Sequence, residues 1–216
     1  MRSVAERLAS EARRGRQVIV FTHNILFHYM LSTEARRAGV SCHEVWMTSL
    51  GKDRFGVIDD AKKPWQMRSV SERLHDIDQA YQDVRRGHYD HTDERSRDKV
   101  VDLYTKMRTT WERVVEEILF NKVVQRFRPE IMTQSLRAVC FQPEHDYPFI
   151  FEGMKRCSHY SGHDPAEDLP PDLPPLGDIA RDLEDLRTFA QYAKARRNQL
   201  DSTMKSYEEG PAPVLL

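Results

Sequence analysis

The chain has only three cysteines in 216 residues, Cys42, Cys140 and Cys157, and no Cys-x-x-Cys spacing joins any two of them. A disulfide framework and a thiolate metal site are both weakly supported by this spacing. No apolar run approaches the ~20 residues that cross a bilayer, so no membrane partner is expected. Met1 to Leu8 has neither the apolar core nor the cleavage site of a secretion signal. The cytoplasm is the compartment these absences point to. Charge of one sign is lacking too: 33 Lys and Arg face 34 Asp and Glu, for a net charge of −1. Nothing global draws the chain to nucleic acid. Basic residues cluster only locally, at Arg13-Arg14-Gly15-Arg16 and at Lys194 with Arg196-Arg197. There are no internal repeats.

What is present begins with Arg16-Gln17-Val18-Ile19-Val20-Phe21-Thr22-His23-Asn24. Four consecutive apolar residues describe a strand covered on both faces, as in a parallel sheet. A histidine just past the C-terminal end of such a strand stands where α/β sheets bind ligands. Upstream, Val4, Leu8 and Ala12 share a helix face and Gly15 closes that helix. Downstream, Asn24 is placed to cap a second helix, Ile25 to Ala38, ended by Gly39. The stretch from Val40 to Ile58, with a turn at Gly51-Lys52-Asp53, suggests a hairpin.

Over residues 1–60 this order resembles the last core strand and switch-histidine loop of ABC-type P-loop ATPases, in particular the SMC-like ATPases of bacterial defence systems. The resemblance implies that His23 contacts the γ-phosphate of ATP. It also implies a phosphate loop, a signature motif and a magnesium-binding acidic strand, none of which the chain contains. The one Gly-Lys, Gly51-Lys52, precedes Asp53 and has Trp46 where the first loop glycine belongs. The chain is thus expected to be the C-terminal part of a larger ATPase. ATP and magnesium would bind only with the missing portion or with a partner ATPase chain. A lone strand leaves backbone groups unpaired, so residues 1–60 are expected to be less stable than the remainder.

From Ser69 the periodicity becomes helical, through Val70, Leu74, Ile77 and Tyr81. The strongest stripe in the chain follows: Val100, Tyr104, Met107, Trp111, Val114 and Ile118. A second stripe, Val115, Leu119, Val123 and Phe127, carries the pattern to Pro129, which stops it. Helical patterns continue through Glu130–Val139 and Tyr147–Tyr160, with Pro143 and Pro148 as interruptions. Residues 65–164 form one helical domain, 165–177 a proline-rich linker or wrap, and 178–207 a final helix. That helix has Asp178 as its cap and Ile179, Leu183, Leu186, Ala190 and Ala193 as its stripe. Residues 208–216 are expected to be disordered. The fold class is mostly α: an incomplete α/β edge followed by an all-helical domain.

Two constellations in the helical part carry chemistry. In Arg156-Cys157-Ser158-His159-Tyr160-Ser161-Gly162-His163, a cation precedes a histidine by seven positions. Arg156 suits a scissile phosphate, and His163 suits proton transfer near neutral pH. The pair resembles the Arg-x4–6-His motif of HEPN ribonucleases, which implies metal-independent RNA cleavage by a homodimer, although Cys157 stands where an asparagine is commoner. In the second constellation Arg108 and Glu112 share a helix face with Glu116. An Arg-x3-Glu followed by a distant histidine resembles the anticodon nucleases fused to such ATPases, with His145 a rival to His163. The same residues also suit an ordinary surface ion pair. His88 and His91 fit a loop between helices. Three functions follow: the C-terminal part of an ATPase, an RNase effector, or a helical module that docks a partner without chemistry of its own.

Overall fold

The computed structural model describes residues 1–48, 56–58, 63–87, 89–90, 92–128, 130–161 and 172–208. The described chain is mostly α-helical. It divides into two compact units, Met1–Met67 with Gln125–Ile131, and Arg68–Val124 with Met132–Leu216.

In the first unit α1 (Arg2–Arg13) packs on α2 (Ile25–Arg37). The buried residues of α1 are Ala5 and Ala9, while Val4 of the expected stripe is 53% exposed. The buried face is rotated by one position from the pattern, because two alanines a turn apart let a neighbouring helix approach closely. Asn24 caps α2 as anticipated, its Oδ1 accepting the Phe27 N–H at 2.9 Å. Gly15 and Gly39 follow the two helices with φ of +83° and +68°, a conformation that costs glycine little. Two short strands, β1 (Met47–Thr48) and β2 (Val57–Ile58), pair antiparallel with Met47 opposite Ile58. Their turn at Gly51–Asp53 lies outside the described residues. Arg128, from the second segment of this unit, lies over the Tyr29 ring at 4.9 Å.

The strand expected at Gln17–Thr22 is not formed. Among the described residues no backbone–backbone hydrogen bond involves Gln17 to His23. A strand exists only through its neighbours, and the described part of this unit provides none.

The second unit is built on α4 (Glu94–Val114), whose stripe Val100, Tyr104, Met107, Trp111 and Val114 is buried as the periodicity predicts. It packs against α3 (Val70–Arg86), α5 (Pro143–Tyr160) and α6 (Leu176–Glu208). A capping box between Ser69 and Glu72 begins α3. The α6 stripe Ile179, Leu183, Leu186, Ala190 and Ala193 is buried throughout. This helix starts two residues before Asp178, which lies in its first turn instead of capping it.

Three other expectations change. The long helix does not continue to Pro129, which is outside the described residues. It widens into a π-helical turn at Val115–Leu119 that buries both Ile118 and Leu119, and it ends at Asn121 and Lys122, whose φ values are positive. Residues 133–138 form a 3₁₀ turn. Pro143 opens α5 at its first position, where no N–H is missed, so only Pro148 lies inside a helix. Of the proline-rich stretch, Leu173 and Pro174 are buried, and Tyr89 Oη donates to the Pro174 carbonyl at 2.5 Å. Residues 162–171 and 209–216 are outside the described residues.

Gly153 marks the closest approach of α5 to α4. A Cβ there would stand 2.6 Å from the Trp111 indole, itself packed on Phe189 at 5.2 Å. Gly153→Ala is therefore expected to destabilise the helical unit by about 1–3 kcal/mol. Urea unfolding followed by circular dichroism checks this, and an unchanged midpoint would show that the indole moves aside without cost.

Candidate functional site

The C-terminal end of α5 carries Arg156, Cys157 and Ser158. Arg156 Nε donates to Asp182 Oδ1 at 2.6 Å, and its Nη2 donates to Asp185 Oδ2 at 2.8 Å, both from α6. Asp182 is 5% exposed and also accepts the buried Tyr104 hydroxyl at 2.8 Å. Burial and the Asp182 charge push the Tyr104 pKa far upward, so the phenol stays protonated. Arg108 lies near, with Nε 3.3 Å from Ser158 Oγ and Nη1 3.4 Å from Glu112 Oε1. Cys157 is buried between these groups. Its thiol is pushed up to about 12, first by desolvation and then by Asp182, against the opposing pull of Arg156 and Arg108. The structure thus brings Arg108, Glu112 and Arg156 to one end of α5. His163 lies outside the described residues, as do His88 and His91. Arg156 is held by two carboxylates, so its charge serves the α5–α6 junction before it can serve a phosphate.

The other end of α5 holds a second polar cluster. Asp146 is fully buried. Its Oδ2 accepts the Gln142 N–H at 2.8 Å and Arg196 Nη2 at 2.5 Å, and its Oδ1 lies 2.9 Å from His145 Nδ1. Burial alone would raise the Asp146 pKa. The hydrogen bonds from Gln142, His145 and Arg196, together with the Arg196 charge, outweigh it and hold the carboxyl below its ordinary value of 3.8. An ionised carboxylate only accepts, so in this contact His145 Nδ1 is the donor. The His145 side chain is 45% exposed, with the rings of Phe149 and Tyr192 at 5.4 and 5.3 Å. Thirteen residues separate His145 from Ser158, about 20 Å along the helix. His145 therefore does not join Arg108 in one site.

His23 is exposed, one residue before the cap of α2, and the preceding Thr22 Oγ1 accepts the Asn24 N–H at 3.0 Å. Ile19 and Phe21 are 68% and 77% exposed. Among the described residues no group of three or more His, Cys, Asp or Glu is placed to hold a metal ion, and no helix is long and apolar enough to cross a membrane. No protein-family model, curated protein or solved structure matches the chain significantly.

The sequence pattern gives Tyr104 only as a core position and Arg196 only as part of a basic cluster, and it does not single out Asp146 or Asp182. Two signals were available. Asp182 interrupts the apolar face of α6, between Ile179 and Leu183. Asp146 lies in the first turn of a helix opened by Pro143, where an acid can reach back to the N–H of the preceding cap residue.

Because the folded pKa of Asp146 is depressed, the stability it contributes is fully present above about pH 3.8 and is lost as the pH falls through its lower folded value. Asp146→Asn is expected to destabilise the protein by about 3 kcal/mol near neutrality, leaving Arg196 buried without its anion. That difference shrinks on acidification below pH 4. Denaturant curves of both proteins at several pH values measure it, and a difference that does not change with pH would remove the carboxylate's role.

Proposed function

We propose that the chain is the C-terminal part of an SMC-like, ABC-type ATPase of bacterial defence. Residues 1–60 then contribute the last strand and the switch histidine of the nucleotide-binding domain, and residues from about 65 to 207 act as its effector or regulatory helical domain. The observation that carries the reading is the stretch from Gln17 to Asn24. Among the described residues the apolar run pairs with no strand, an exposed histidine ends it, and a capped helix follows at once. His23 directly precedes the cap of α2, a helix whose dipole favours negative charge at its N-terminus. The residues present fit the sensor part of an ATP site, while the cradle for the phosphates and the magnesium ligands belong to the missing portion or to a partner ATPase chain. ATP, once bound there, supplies the transferable γ-phosphoryl group. The part of His23 is to donate to or orient a γ-phosphate oxygen or the attacking water through its imidazole.

In the protein completed by its phosphate-loop portion, His23→Ala is expected to lower kcat for ATP hydrolysis by ~10²-fold while ATP affinity changes little. Whether that portion is encoded upstream of the Met1 codon or by a partner chain is read by translating the neighbouring DNA. Unaltered hydrolysis in the variant would contradict the sensor role.

A second reading, a metal-independent ribonuclease acting as a homodimer, rests on the HEPN resemblance; His145, the rival to His163, has its imidazole beside a buried carboxylate and half open to solvent, at the far end of α5 from Arg156. Arg156 and His163 remain the residues the HEPN resemblance names, with Arg108 and Glu112 beside Arg156. On this reading RNA is cut in the presence of chelator, and the cutting disappears in His163→Ala and Arg156→Ala. Cleavage that persists in both would end it. A helical module with no chemistry of its own is the outcome if ATP and RNA assays both fail.

A further inference from the structure

His145 combines three features. Its Nδ1 donates to Asp146 Oδ1 at 2.9 Å, and that carboxylate is fully buried and held on its other oxygen by the Gln142 N–H and by Arg196. The ring is thus fixed by an anion that is itself fixed, and in the neutral imidazole the lone pair then sits on Nε2. Nε2 makes no hydrogen bond among the described residues, and the side chain stands half open to solvent. The rings of Phe149 and Tyr192, also half exposed, flank it at 5.4 and 5.3 Å and surround the open imidazole with apolar surface. His28 is the contrast. Its Nδ1 is buried without a partner, while Nε2 lies 3.6 Å from Glu44, a carboxylate that is open to water. At His145 the carboxylate is inside and the free nitrogen belongs to an exposed ring.

An imidazole arranged in this way is a nucleophile. When Nε2 forms a bond the ring gains positive charge, and the Asp146 carboxylate at Nδ1 offsets that charge without having to move. Imidazole takes up acyl and phosphoryl groups, and the place in the fold distinguishes between them. His145 is the third residue of α5, within the first turn, where the helix dipole favours negative charge. An acyl group brings no charge to that turn. A phosphoryl group brings about two negative charges.

We infer that His145 accepts a phosphoryl group at Nε2 from an acyl phosphate carried on a carboxylate side chain of a partner protein. The Nε2 lone pair attacks phosphorus. An N–P bond forms as the P–O bond to the acyl oxygen breaks, and that oxygen leaves with the bonding pair as a carboxylate. No proton is released: the one on Nδ1 stays against Asp146. Phe149 and Tyr192 supply the aromatic contacts on which protein surfaces anchor. Asp146 is a positioning residue, because it acts only through the imidazole. The inference goes beyond both functional readings and needs neither an ATP site nor RNA.

The first probe is phosphoramidate, a small reagent that phosphorylates imidazole, applied to the purified full chain. His145 is expected to react roughly tenfold faster than the exposed His23, because a carboxylate behind an imidazole raises its basicity. Mass spectrometry reads the rate, and phosphorus NMR is expected to place the group on Nε2. Reaction at Nδ1, or no faster than at His23, overturns the proposal. Replacing both Asp146 and Arg196 by leucine removes the anion without stranding its cation. Helix content is expected to persist in this double variant, while the advantage of His145 over His23 disappears and both ring nitrogens are modified. An advantage retained in the folded double variant removes the role of Asp146, and if that variant does not fold, the two readouts on the unaltered chain still decide. The full chain isolated from its native host under alkaline conditions, which preserve N–P bonds, is expected to carry phosphoryl on His145 and to lose it in His145→Gln. A host chain that carries none overturns the proposal. Acetyl phosphate tests the source of the group: it is expected to leave the purified chain unlabelled, and efficient labelling would put a free acyl phosphate in place of the partner protein.

Discussion

The helical unit depends on one buried carboxylate. Asp182, on α6, accepts from Tyr104 on α4 and from Arg156 on α5. It is almost wholly out of water, so its charge carries a desolvation cost that only those partners offset. The consequence reaches the chemistry. An arginine at the end of α5 looks like a phosphate ligand when it is read along the chain. Folded, it is the cation that Asp182 requires, with Asp185 as a second anion beside it. At the other end of the same helix, Asp146 and Arg196 repeat the arrangement and take His145 into it. Both ends of α5 are thus fastened to α6 by buried or half-buried ion pairs, and the apolar stripes of α4 and α6 fill the space between.

Periodicity revealed most of this unit. The stripe from Val100 to Val114 and that from Ile179 to Ala193 are buried position for position, because a helix that packs on several neighbours leaves little freedom over which face turns inward. Boundaries were less readable. The pattern from Val114 to Phe127 continues as if one helix ran on, yet Asn121 and Lys122 turn the chain after a π-helical turn. That turn is a local answer to burying Ile118 and Leu119 together, and spacing alone cannot encode it. Pro143 interrupts the sequence pattern but is a helix start, since proline means opposite things at the first position and inside a helix. In α1 the eye follows Val4 and Leu8, but packing chose Ala5 and Ala9.

The candidate sites were harder to read, for a physical reason. Residue types suggest what a group can do, but whether it is available depends on partners far away in sequence. Arg156 meets Asp182 26 positions later, and Asp146 meets Arg196 50 positions later. The segment at residues 17–21 is the opposite case. Its apolar run was plain in the sequence, and its neighbours are what the described residues do not include. The two units therefore contrast in one respect that bears on function: both ends of α5 are held by ion pairs to α6, while among the described residues the backbone from Gln17 to His23 makes no backbone–backbone hydrogen bond and Ile19 and Phe21 are exposed.

That contrast is open to direct measurement. Residue-resolved amide hydrogen exchange on the isolated chain compares Val18 to Phe21 with Val100 to Met107 under identical conditions. If residues 17–21 are an unfilled strand, their amides exchange at nearly the rate of an unstructured peptide while those of α4 are protected by many orders of magnitude. Protection of Val18 to Phe21 comparable to that of α4 would mean that the segment already has its partners within this chain, and the account of an open strand would be wrong.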